Sequence, residues 1–144
     1  MRFVEDDGGR AAAGYKGKAG DCVARSIAIA AGKPYAEVYA ALANGAGRER
    51  KSKGRSARNG IHTSRKWFGE YMRAIGFVWT PTMRIGSGCT THLVAGEVPE
   101  TGRHVVMVSR HATALVDGVI RDTHDPSRGG TRCVYGYWTL GGAL

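Results

Sequence analysis

No stretch of this 144-residue chain comes near the roughly 20 consecutive apolar residues that a membrane-spanning helix requires. Its first residues, Met1-Arg2-Phe3-Val4-Glu5-Asp6-Asp7-Gly8-Gly9, carry acid and glycine where a secretory signal would carry its apolar segment. A cytoplasmic protein with no membrane partner is therefore expected. Cysteine is scarce: Cys22, Cys89 and Cys133 are odd in number, unrelated in spacing and contain no CxxC pair. That argues against a disulfide framework and against a structural zinc site, and no metal and no cofactor are expected. There is no internal repeat. One domain over residues 1–144 is expected, long enough to bury a core without staples.

Acidic residues are also few, 12 against 21 Lys and Arg, for a formal charge of +9. The excess is local. Arg48, Arg50, Lys51, Lys53, Arg55, Arg58, Arg65 and Lys66 stand against Glu49 alone, a net +7 within one short segment. Residues 44–60 lack apolar periodicity and are rich in glycine, which reads as a flexible basic loop. Such a segment can attract phosphate backbones or an acidic protein partner, ordering on binding. No helix-turn-helix, zinc finger or RNA-binding aromatic signature accompanies it.

The chain changes character near its middle. After a glycine-interrupted lead-in with a short strand over residues 2–5, helical spacing of small apolar residues begins at Cys22 and stops at Gly32 and Pro34. A second helix is expected from Pro34 or Tyr35 to about Ala43. A third runs to Ile75 from a cap at Thr63 or Ser64, with Trp67, Phe68, Tyr71, Met72 and Ile75 on one face. Strands are expected at 77–79, 82–85 and 103–109, with a helical turn or two at 90–95 between them. A hairpin follows at 111–116 and 119–123 around Asp117-Gly118, then a last strand over 133–138. Trp67, Tyr71, Tyr135, Tyr137 and Trp138 are expected to fill the core between the layers. Helices first and an antiparallel sheet afterwards is an α+β plan.

Chemistry concentrates at two places. Cys22 follows Asp21 at the mouth of the first helix, where the positive end of the helix dipole favours thiolate over thiol. Far downstream, His111 opens the hairpin. If Val116 pairs with Val119 across the Asp-Gly turn, Thr113 faces Asp122, His111 faces His124, and His111 and Asp122 are diagonal neighbours on one face. An acid there would fix the imidazole tautomer and support imidazolium. Asp125 is the alternative acid, and a one-residue bulge at Gly118 would change the choice. His104 ranks second to His111 because it has no hairpin and no acid following it. Cys89 and His92 form a weaker pair with no third ligand nearby.

Asp-Cys at the start of a small apolar helix, followed after the helical half by a His-led hairpin with an acid and an aromatic strand, resembles the papain-like cysteine peptidases. The likeness is closest to the bacteriocin-leader-processing branch, and it covers residues 22–32 and 111–126. It implies N-terminal helices packed on a C-terminal antiparallel sheet, a Cys22 nucleophile, a His111 base and Asp122 or Asp125 as orienter. That branch has a glutamine oxyanion donor where this chain has Lys16, and a glycine where it has Val23. The expected activity is hydrolysis of a peptide or isopeptide bond in a peptide or protein substrate, or transfer of the same acyl group to an amine. Lys16 and the Cys22 amide would hold the oxyanion. The alternative is a non-catalytic binding protein on the same fold that uses its basic face. A compact basic chain of this style suggests a bacterial or phage accessory protein.

Overall fold

The computed structural model of the protein describes residues 1–15, 21–47, 63–84 and 86–141. Three helices, α1 (Cys22–Ala31), α2 (Tyr35–Gly47) and α3 (Lys66–Ala74), precede most of a six-stranded mixed sheet. Its strands are β1 (Arg2–Glu5), β2 (Phe77–Pro81), β3 (Arg103–Val108), β4 (His111–Val116), β5 (Val119–Asp122) and β6 (Val134–Leu140), in the order β1-β5-β4-β3-β6-β2. The architecture is α+β.

Alternation along β3 explains its continuous apolar sequence, because both of its faces are covered. Val105 and Met107 join Ala112, Trp138 and the apolar faces of α1, α2 and α3 in one buried cluster. Val106 and Val108 join Leu115, Ile120 and Val134 in a second cluster, closed by Leu93 and Val98 from the segment between β2 and β3. α1 lies against β3, β4 and β5. It ends at Gly32 in the left-handed region (φ 66°), where the Gly32 and Lys33 amides bond the carbonyls of Ile29 and Ala28. Arg103 of β3 donates to the last carbonyls of the same helix, Nε to Ala30 at 2.7 Å and an Nη to Ile29 at 2.9 Å. A cation on the negative end of the helix dipole thus anchors α1 to the central strand.

The hairpin pairs as the turn chemistry predicts, with Val116 opposite Val119 and Leu115 opposite Ile120. Asp117 (φ 49°) and Gly118 (φ 78°) supply the left-handed pair that a two-residue turn needs.

Several expectations are corrected. The sheet is mixed rather than antiparallel, because β1 returns beside β5 in parallel register, from Arg2 opposite Val119 to Glu5 opposite Asp122. Phe3 joins the second cluster, and the Asp6 amide continues the ladder to the Asp122 carbonyl at 2.8 Å. α2 does not stop near Ala43 but runs through Gly47, and the absence of a side chain at Gly45 lets the Trp67 indole of α3 close on it. A Cβ at Gly45 would lie 2.3 Å from that ring. α3 begins at Lys66 after an extended Arg65, not at a Thr63 or Ser64 cap. Residues 82–84 form no strand; the Thr82 and Met83 amides both bond the Tyr135 carbonyl just beyond β2, and Ile85 lies outside the described residues. Residues 90–95 are not helical but cross beside β6 through a bridge between His92 and Cys133. Tyr135 is exposed, because it points away from both clusters on its strand.

The cysteine expectation fails in part. Cys89 and Cys133 form a disulfide, with Cα atoms 5.8 Å apart, and Cys22 alone is a free thiol. Two cysteines 44 residues apart pair because the Thr91 carbonyl accepts from the Val134 amide at 2.8 Å and the Leu93 amide donates to the Arg132 carbonyl at 2.8 Å, laying the two segments side by side. Cysteine usage therefore no longer argues for a reducing compartment.

Candidate active site

Cys22 is the first residue of α1, and its neighbourhood is built by the hairpin. β4 starts at His111 and β5 ends at Asp122, so the open end of the hairpin presents both side chains at the N-terminus of the helix. His111 Nε2 lies 2.6 Å from Asp122 Oδ2. The remaining ring nitrogen, Nδ1, is the one left for the thiol, and the Cys22 side chain is hydrogen-bonded to His111. Burial by itself would raise the Cys22 thiol. The hydrogen bond and charge of His111, the Ala112 amide and the Arg25 charge outweigh burial and bring the thiol below its ordinary value. Burial would likewise pull His111 down, but hydrogen bonds and charge from Asp122 and Cys22 push it up to about 9. Asp122, which burial would raise, is held below the usual carboxylate range by His111 and by the Thr123 amide, which donates at 2.7 Å. The three shifts run in the direction that favours a thiolate beside an imidazolium beside a carboxylate.

Beneath these three side chains lies an ionic layer of which only Asp21 stood out in the sequence. Asp21 does not cap α1 with its side chain. Its fully buried carboxylate pairs with Arg25 one turn along the helix, with Arg10 at 3.1 Å, and accepts from the Tyr35 hydroxyl. Arg10 in turn donates to the Tyr35 oxygen at 2.7 Å. Arg25 then reaches Asp122 Oδ1 at 3.8 Å, which links the cluster beneath Cys22 to the carboxylate that is hydrogen-bonded to His111. A signal for Arg25 existed. It is the one charged residue inside an otherwise apolar helix face, at i,i+4 from Asp21.

The other sequence candidates fall as follows. Asp125 is exposed and its Oδ1 accepts from the Ser127 amide at 2.9 Å, so the turn uses it and Asp122 alone meets His111. His104 is buried and bonded to Thr139 Oγ1 at 3.0 Å and the Thr101 carbonyl at 2.7 Å. His124 stacks near His111 with ring centres 5.0 Å apart. Lys16, Arg48, Arg50, Lys51, Lys53, Arg55 and Arg58 lie outside the described residues. Arg65 and Lys66 are exposed at the start of α3, and Lys66 pairs with Glu70 at 3.8 Å. Among the described residues no cluster of three or more metal-ligating side chains is present, and no helix is long and apolar enough to cross a membrane.

Compared with models of protein families, with curated proteins and with solved structures, the chain matches none.

Proposed function

We propose that the protein is a papain-like cysteine hydrolase that opens a peptide or isopeptide bond through Cys22, His111 and Asp122. The observation that carries the reading is the contiguous chain from the Cys22 thiol through His111 to Asp122, assembled from α1, β4 and β5. The Cys22 thiolate attacks the substrate carbonyl, and the amide of Cys22 at the helix N-terminus is a candidate donor to the oxyanion that forms. His111 delivers its proton to the departing amine, leaving a thioester on Cys22. Neutral His111 then takes a proton from water, which attacks the thioester, releases the acid and regenerates the thiolate and imidazolium pair. An amine in place of that water gives acyl transfer. Asp122 keeps the imidazole aligned and favours its charged form through both steps.

The first test follows alkylation of Cys22 by iodoacetamide against pH, read at Cys22 by mass spectrometry, alongside turnover of a fluorogenic peptide library. The expected result is fast alkylation well below the ordinary thiol range. In His111→Ala the midpoint should rise above that range, because burial remains while the imidazolium is gone. An inert Cys22, or one whose reactivity ignores His111, overturns the proposal.

A further inference from the structure

The Cys89–Cys133 disulfide carries groups that a purely structural cross-link has no use for. Cys89 is exposed, and its Sγ lies 3.6 Å from His92 Nε2. The opposite ring nitrogen of His92 lies 3.1 Å from Glu97 Oε1, and the same oxygen accepts the His92 backbone amide at 3.2 Å. His92 holds the Glu97 carboxylate below its ordinary range, which keeps it ionised as a partner for the ring. The His92–Cys133 bridge fixes the ring beside the sulfur pair. Sulfur, imidazole and carboxylate are thus aligned on one sulfur of the pair and not on the other.

We propose that Cys89–Cys133 is a thiol-exchanging disulfide, in which Cys89 is the activated sulfur, His92 and Glu97 serve it as a proton relay, and the substrate is a low-molecular-weight thiol. A substrate thiolate attacks Cys133 Sγ, which is partly exposed. A new sulfur–sulfur bond forms to Cys133, the Cys89–Cys133 bond breaks, and its electron pair leaves on Cys89. That sulfur takes the Nε2 proton of His92 in its imidazolium form, leaving a neutral ring whose Nδ1–H stays on Glu97. A second thiolate attacks the substrate sulfur of the mixed disulfide and releases Cys133 as thiolate. The balance is two thiols oxidised to one disulfide and one protein cystine reduced to two cysteines. In the reverse direction neutral His92 draws the proton from Cys89, which makes Cys89 the attacking thiolate. This exchange uses none of the triad residues and stands or falls apart from the hydrolase reading.

The test treats the oxidised full-length chain, in a Cys22→Ala background so that one thiol cannot confuse another, with reduced glutathione. The reaction is quenched in acid during the first turnover and mapped by mass spectrometry. Expected are glutathione on Cys133, a newly alkylatable thiol on Cys89, and reduction slowed at least about tenfold by His92→Gln. Should His92→Gln fail to fold, Glu97→Gln carries the same comparison, with a smaller slowing in the same direction. Glutathione on Cys89, an unchanged rate in a folded His92→Gln or Glu97→Gln chain, or an air-purified protein with three free thiols overturns the proposal.

Discussion

The molecule contains two arrays of sulfur, imidazole and carboxylate, and they are built in opposite ways. Cys22, His111 and Asp122 come from three regular elements between residues 22 and 122, and the side chains of His111 and Asp122 are only 11% and 4% exposed. Cys89, His92 and Glu97 come from nine residues of irregular chain, with His92 and Glu97 side chains 39% and 42% exposed. Exposure decides what the same charges can do. In the buried array water does not screen the imidazolium, so thiol and base move each other's ionisation. In the exposed array the pairing is largely solvated, and geometry alone sets where a proton goes. The buried array suits the nucleophile proposed above, whose thiol is shifted toward thiolate. The exposed one suits a sulfur that must be reached by small molecules.

The largest expected effect separates the two arrays by reaction. Cys22→Ser should lower peptide turnover by on the order of 10³-fold or more, because the hydroxyl is a far poorer nucleophile beside this imidazole. Cys89→Ser should leave turnover within twofold. Equal losses in both variants would mean that the arrays are not independent.

A second contrast concerns what lies beneath each array. Asp21 pairs with two arginines and accepts from Tyr35 with no access to water. Asp21→Asn removes the buried carboxylate that Arg10 and Arg25 share and should cost about 3–5 kcal/mol in urea denaturation, since a buried pair broken from one side leaves much of its desolvation uncompensated. Glu97→Gln, on the surface, should leave the urea midpoint unchanged. An Asp21→Asn chain as stable as the parent would show that the ionic layer orients the triad without holding up the fold.

How much of this was visible in the sequence follows the same divide. The buried triad was legible because each member announces itself locally: Cys22 by the start of a helix, His111 and Asp122 by a turn that fixes register at Asp117-Gly118. Once register is set, alternation places the acid beside the base without any tertiary knowledge. The ionic layer was not legible beyond Asp21, because Arg10 and Tyr35 reach it through folded space and carry no mutual spacing. The disulfide was hidden for a like reason. Its two cysteines meet only because residues 90–95, apolar enough at Leu93 and Val94 to suggest a helical turn, are instead drawn flat along the start of β6. The parallel return of β1 is equally a matter of which sheet edge remains open. Local pattern does not encode that.

Reduction of the disulfide probes whether the two arrays communicate. Cleaving a cross-link between residues 44 apart should lower stability by about 2–4 kcal/mol through the freedom regained by the unfolded chain. The rate of Cys22 alkylation should stay within twofold of the oxidised protein, because hairpin and helix are held by buried contacts of their own. One contact offers a route for the opposite result. Arg132, next to Cys133, donates to the Ser109 carbonyl in the turn that leads into His111. A slower Cys22 in the reduced protein would make that contact the coupling element.

The smallest expected effect tests the buried array by its alkaline limb. His111, pushed up to about 9, must be protonated to deliver a proton to the departing amine. Turnover should therefore hold a plateau through neutral pH and fall to about half of it where pH equals the His111 value, near 9. The sign for stability is the same. A base raised above its unfolded value of 6.5 contributes stability in full below that value and loses it as pH rises through about 9. Asp122, held low, contributes above its unfolded value and loses its contribution as pH falls through its folded one. Replacing the carboxylate by Asp122→Asn keeps a hydrogen-bond acceptor but removes the negative charge, so the alkaline limb should move down toward the ordinary imidazole range while the plateau survives in part. A limb that stays near 9 in Asp122→Asn would place the support of the imidazolium on Cys22 alone and reduce Asp122 to a steric guide.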